Sequence, residues 1–124
     1  MSKILVVEDD AMNRDMLARR LVWEGFEVTT ATNGAEAVEL AGAERPDLIL
    51  MDLGIPLLNG WQATHRIKSQ PETNHIPVIA LTAYALTEDR AKSLAAGCDD
   101  YETKPVDFPR LLGKIQQFLE RAAS

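Results

Sequence analysis

The hydrophobic pattern divides the chain into short apolar runs, each stopped by polar or turn-forming residues. Lys3-Ile4-Leu5-Val6-Val7 is a β-branched run closed by Glu8-Asp9-Asp10, and it predicts a strand. Leu48-Ile49-Leu50-Met51 holds no polar residue until Asp52, after which Gly54 and Pro56 break the chain. Continuous apolar character fits a strand buried on both faces. Ile76-Pro77-Val78-Ile79-Ala80-Leu81 predicts another, with its proline tolerable only near the start. Phe26 to Ala31 alternates well enough for a further strand. Asp100-Tyr101-Glu102-Thr103 is short and polar, as suits a sheet edge.

The intervening segments carry helical spacing. Met12, Met16, Leu17, Leu21 and Val22 predict a packing stripe on a helix that Asp10 caps and Gly25 ends. Ala37, Val38, Leu40 and Ala41 follow the turn Asn33-Gly34; Trp61, Ala63, Thr64 and Ile67 follow Asn59-Gly60. Thr87 opens a weaker helix whose thin apolar face is Ala91, Leu94, Ala95 and Gly97. Asp107 and Pro109 open the last helix, with Leu111, Leu112, Ile115, Phe118 and Leu119 as its core stripe. Five strands alternating with five helices predict an α/β fold. Its sheet is parallel, covered on both faces and joined by right-handed crossovers.

At 124 residues the chain is expected to form one domain, with no second domain after it. The net charge of −6 and the scattered Lys and Arg argue against nucleic acid or a membrane as partner. The single Cys98 forms no internal disulfide, which fits a reducing cytoplasm. Cys98 reads as a small buried filler, His65 and His75 as ordinary surface residues, and the methionines as core.

A parallel sheet places all strand ends of one sense on one edge, where open α/β sheets bind ligands. That edge would gather Glu8, Asp9, Asp52, Thr82 and Lys104. Each alone has an ordinary explanation: Asp52 or Thr82 a cap, Glu8 and Asp9 a solvated strand end, Lys104 a surface cation. Together they are a chemical set. Converging carboxylates repel, and a divalent cation with hard-oxygen preference, Mg²⁺ above all, relieves the repulsion. Such a site is completed by an incoming phosphoryl group, which Asp52 can attack as a carboxylate nucleophile. Thr82 and Lys104 would neutralise its oxygens. A cis Lys104-Pro105 bond would aim the lysine into the site.

These landmarks resemble the receiver domain of two-component response regulators over the whole chain. They stand as Val7-Glu8-Asp9-Asp10, Met51-Asp52-Leu53-Gly54-Ile55-Pro56 with Asn59-Gly60, Leu81-Thr82-Ala83, and Tyr101 with Lys104-Pro105. The resemblance implies a flavodoxin-like (βα)5 fold with strand order 2-1-3-4-5. It implies phosphorylation at Asp52. Metal ligation falls to Glu8, Asp9, Asp52 and the Gly54 carbonyl, with Mg²⁺ or Mn²⁺ as cofactor. Thr82 and Lys104 become phosphate contacts, and Thr82 with Tyr101 the conformational switch. Gly54 and Tyr84 stand where hydrolysis of the phosphoaspartate is modulated, and a slow self-dephosphorylation is expected.

A sensor histidine kinase or histidine phosphotransfer protein is the implied donor. The downstream effector docks on the helix beginning at Thr87, the last strand and the last helix. The protein is then a stand-alone receiver of the chemotaxis or cell-division type. It is a phosphoacceptor rather than an enzyme with turnover, and a monomer whose dimerisation on phosphorylation stays open. Three other readings compete. A flavodoxin-like flavin carrier needs a phosphate-cradling loop that Glu8-Asp9-Asp10 does not supply. A haloacid-dehalogenase-type phosphatase needs Asp-x-Asp on the first strand. A receiver-like docking module would never be phosphorylated.

Overall fold

The computed structural model describes residues 2–83, 91 and 94–123. Its five strands are β1 (Lys3–Val7), β2 (Glu27–Ala31), β3 (Leu48–Asp52), β4 (Val78–Thr82) and β5 (Asp100–Thr103). All neighbours pair parallel, in the order β2-β1-β3-β4-β5. This is the flavodoxin-like order, with polar β2 and β5 at the edges and apolar β1, β3 and β4 inside. The described helices are α1 (Ala11–Trp23), α2 (Gly34–Glu44), α3 (Gly60–Lys68) and α4 (Phe108–Ala123).

Side chains alternate across a strand, so the central strands feed two cores. Leu5, Val7, Ile49, Met51, Val78 and Ala80 face Ala37 and Ala41 of α2 and Ala63 and Ile67 of α3. Ile4, Val6, Leu48, Leu50, Ile79 and Leu81 face Leu21 of α1 and Phe108, Leu111 and Ile115 of α4. β3 is buried at all five positions. Cys98 is a buried filler whose thiol burial pushes above its usual pKa.

The loops after β1, β2 and β3 each deliver a helix start. Asp10 accepts from the Asn13 N–H (3.0 Å), Asn33 from Glu36 (2.8 Å) and Asn59 from Gln62 (2.9 Å). These side chains satisfy donors that a helix leaves unpaired in its first turn. Gly25 takes φ +96° beyond the end of α1.

Three packing expectations are corrected. Met12 and Met16 of α1 are exposed, Met12 by 73%, as is Val22. The helix docks instead through Leu21, with Leu17 half-buried. Met12 and Leu21 are about two and a half turns apart at 3.6 residues per turn, so they lie on opposite faces. The methionines are therefore not uniformly core: Met51 is buried, and Met12 and Met16 are not. The helix expected from Thr87 falls largely outside the described residues. Where it is described, residues 91 and 94–96 are helical, but Ala91, Leu94 and Ala95 are exposed rather than packed.

Candidate functional site

β1, β3 and β4 all end on one edge of the sheet, and each contributes a polar residue there. Parallel pairing sets Val7 beside Met51 and Asp52 beside Leu81. Glu8, Asp52 and Thr82 therefore emerge one step beyond or at the end of adjacent central strands. Strand burial carries their side chains out of solvent: Glu8 is 1% exposed and Asp52 6%. Asp9, in the turn before α1, is exposed. Ligand oxygens of Glu8, Asp9 and Asp52 lie within 4.8 Å of one another.

Lys104 answers this cluster from the loop after β5. Its Nζ donates to Asp52 Oδ2 (2.9 Å) and to Glu8 Oε1 (3.1 Å). Its backbone N–H donates to the Thr82 carbonyl (2.7 Å), which ties the lysine loop to the end of β4. The Lys104-Pro105 peptide bond is cis. The other carboxylate oxygen of Asp52, Oδ1, accepts from the Gly54 N–H (3.0 Å).

Two carboxyl groups this close and this dry cannot both carry full charge beside one ammonium. Burial, then the neighbouring Asp52 carboxylate, pushes Glu8 up to about 7 against the pull of Lys104. Asp52 goes the other way. Burial opposes its ionisation, but the Glu8 carboxyl, Lys104 and the Gly54 N–H together outweigh it and hold Asp52 below its ordinary value. Lys104 is likewise held above its ordinary value: burial lowers it, and the two acids more than compensate. Of the pair, Asp52 is the carboxyl that ionises first as the pH rises.

The donor set suits a hard divalent cation. It is all oxygen and mostly carboxylate, with an excess of acid over cationic partners. Among the described residues, Glu8 Oε2 is a buried side-chain oxygen with no hydrogen-bond partner. A buried carboxylate oxygen left unpaired is costly, and an added cation would satisfy it.

The loop from Leu53 to Asn59 is clamped on both sides. Gly34 and Ala35 at the start of α2 donate to the carbonyls of Pro56 (3.1 Å) and Leu57 (2.8 Å). Gly60 donates to the Leu53 carbonyl (3.1 Å). A Cβ on Gly60 would come 2.6 Å from the Asp52 carbonyl oxygen, and one on Gly34 would overlap the Leu58 carbonyl. Leu57 and Leu58 adopt φ +49° and +74° within this clamp, a left-handed backbone that leucine seldom accepts.

Glu8, Asp9, Asp52, Gly54 and Lys104 thus meet in one place, with Thr82 at the adjoining strand end. Tyr101 is half-buried on β5, paired in register with Ala80 and two residues back from the edge that carries Lys104. Lys114 Nζ stands 5.6 Å from its ring centroid. Tyr84 lies outside the described residues. Asp10 faces the helix as a cap.

Sequence reasoning missed a buried acid beside Tyr101. Glu102 is almost fully buried and is held by Arg110 (3.1 Å) and Lys114 (2.8 Å) of α4. Its signal was available only as two cations, four residues apart, on the helix that follows it.

A doubly wound parallel sheet with buried acids and one lysine at its carboxyl edge is the arrangement expected of a receiver domain. Residues 4–116 match the family model of the response regulator receiver domain, and the chain belongs to that family. It is 38% identical over 116 residues to the polar-differentiation response regulator DivK of Brucella anthropi, covering 94% of each chain. Among solved structures it is similar to the receiver domain of sensor histidine kinase PA1611 from Pseudomonas aeruginosa PAO1. The match has 39% identity and a TM-score of 0.90, and it covers 96% of this chain and 98% of that one. That crystal structure holds a magnesium ion in its active-site cleft. A receiver domain from the Saccharomyces cerevisiae response regulator Ssk1, solved with the phosphotransfer protein Ypd1, aligns with a TM-score of 0.92 at 32% identity. That match covers 99% of this chain and 92% of that one.

Proposed function

We propose that the chain is a single receiver domain that accepts a phosphoryl group on Asp52 from a phosphohistidine. The donor is a histidine kinase or a histidine phosphotransfer protein. The observation that carries this reading is the pairing of an ionised, buried Asp52 with Lys104 beside two further acids. An Asp52 carboxylate oxygen attacks phosphorus, the bond from phosphorus to the donor ring nitrogen breaks with its electron pair going to that nitrogen, and, because the other ring nitrogen of the donor carries a proton, the ring leaves as neutral imidazole. Mg²⁺, held by Glu8, Asp9, Asp52 and the Gly54 carbonyl, would supply neutralising charge to the phosphoryl oxygens when bound, and Mn²⁺ would substitute.

The chain's own groups do the rest. The Gly54 N–H fixes one oxygen of Asp52 and leaves the carboxylate aimed out of the strand end. Lys104 already reaches the site and, once Asp52 carries the phosphoryl group as an acyl phosphate, has a phosphoryl oxygen to bind in place of the lost carboxylate charge. The Thr82 hydroxyl is the second contact. One charge-assisted hydrogen bond contributes about 1.5–3 kcal/mol. Full inversion of a 1:99 equilibrium needs about 5.5. Thr82 therefore acts together with Lys104 and the cation in drawing Tyr101 inward.

The effector would read the helix beginning at Thr87, β5 with Tyr101, and the outer side of α4. Gly54 offers no side chain to orient a hydrolytic water, and Tyr84 would shield the phosphate. Slow self-dephosphorylation follows, and a Tyr84→Ala chain whose phosphoryl half-life equals the native one would contradict the shielding. No described helix is long and apolar enough to cross a membrane. A cytoplasmic monomer, without direct nucleic-acid contact, is the form in which this domain would work.

The deciding experiment incubates the chain with a small phosphodonor and Mg²⁺ and records intact mass. The native chain gains one phosphoryl group, and Asp52→Asn gains none. Equal labelling of both would reject Asp52. Labelling of neither would favour a docking module that is never phosphorylated.

A further inference from the structure

We propose that Arg14 is the positioning residue of the turn that presents Glu8 and Asp9. This rests on the reading of those two acids as cation ligands. β1 ends at Val7 and α1 begins at Ala11, so both acids sit in a turn of only three residues. The Glu8 N–H is held by the Ala31 carbonyl (3.0 Å), and Asp10 is held as the cap of α1. What remains is the carbonyl side of Glu8 and Asp9. Arg14 Nη1 donates to the Glu8 carbonyl oxygen at 3.0 Å and reaches the Asp9 carbonyl oxygen at 3.5 Å. Arg14 also belongs to the first turn of α1, where its N–H donates to the Asp10 carbonyl (2.9 Å). One residue thus grips the turn at three successive carbonyls.

The charge of Arg14 is in the wrong place for a purely electrostatic role. A guanidinium this close to a cation site repels the cation, so its Coulomb effect alone weakens binding. Its geometric effect strengthens binding, by holding two carboxylate-bearing residues in one arrangement before the ion arrives. Residues that orient metal ligands commonly change affinity by about tenfold or more when removed. The two effects have opposite signs, so the direction of the change identifies the role.

The test titrates the full chain with Mn²⁺ at fixed pH and follows free Mn²⁺ by electron paramagnetic resonance, with circular dichroism confirming the fold. Arg14→Ala is expected to weaken Mn²⁺ binding about tenfold. Arg14→Lys keeps the charge and one donor but loses the planar fork, and is expected to fall between the two. Arg14→Ala binding Mn²⁺ as tightly as the native chain, or more tightly, overturns the proposal. If Arg14→Ala does not fold, Arg14→Lys decides: affinity equal to native overturns it, and weaker affinity supports it. Asp9→Asn is the control for the underlying reading. Native-like Mn²⁺ binding there would reject Asp9 as a ligand, a failure distinct from that of Arg14.

Discussion

Glu8 shows how one residue's environment sets its chemistry. In the unfolded chain it titrates near 4.5, and in the fold near 7. A raised folded-state pKa means that the native protein binds the proton more tightly than the unfolded chain does. Its contribution to stability is therefore complete below about 4.5 and is lost as the pH rises through about 7. Asp52 works in the opposite sense: its depressed pKa contributes stability above about 3.8 that disappears on further acidification. With a chelator present, the unfolding free energy read from urea titrations is expected to fall between pH 5 and pH 7 by on the order of 1 kcal/mol, after allowance for screening. In Glu8→Gln that decline should be absent. An unchanged profile in Glu8→Gln would show that other groups govern this window. The residue types at the site were readable from sequence, because an acid after an apolar run is conspicuous. The division of one proton between Glu8 and Asp52 was not, because it depends on a separation that only the folded strands create.

At the scale of elements, α1 separates pattern from packing. Its apolar residues look like one stripe in sequence, but they wrap around the helix. Leu21 is sealed against the sheet, while Met12 and Trp23 (88% exposed) face outward. Leu21→Ala is expected to cost about 2–5 kcal/mol, and Met12→Ala less than about 0.5. Chemical denaturation of both variants checks this, and similar losses would mean that α1 packs through the other face. The strands behaved more predictably. β1, β3 and β4 are apolar at consecutive positions, a pattern with few alternatives to burial on both faces. Asp10 was legible as a cap, and Asn33 and Asn59 as turn residues ahead of helices, for a similar reason, since their hydrogen bonds are local in the chain.

The whole molecule is a scaffold for one edge. Central strands supply rigid positions, and the loops beyond them supply charge. Net charge of −6 includes an acid excess at that edge, so a divalent cation should add stability rather than merely occupy a groove. A ligand that binds only the native state stabilises it by about 2.7 kcal/mol at one hundred times its dissociation constant. Thermal melting in saturating Mg²⁺ should therefore exceed melting in chelator, and Asp9→Asn should lose most of the difference. A native chain whose midpoint ignores Mg²⁺ would contradict the cation site. The helix expected from Thr87 was the least legible element where it is described, since Leu94 and Ala95 have helical spacing but little burial.

The amino-acid sequence by itself determined the alternation of strands and helices, the buried centre of the sheet and the acids that end its strands. Those features follow from side-chain periodicity and local hydrogen bonding, which act over a few residues. Tertiary structure alone decided which face of α1 is buried and that Lys104 reaches both Glu8 and Asp52. Each depends on distances between segments far apart in the chain, or on a helix's rotation against the sheet. Only simultaneous packing of both cores sets those quantities.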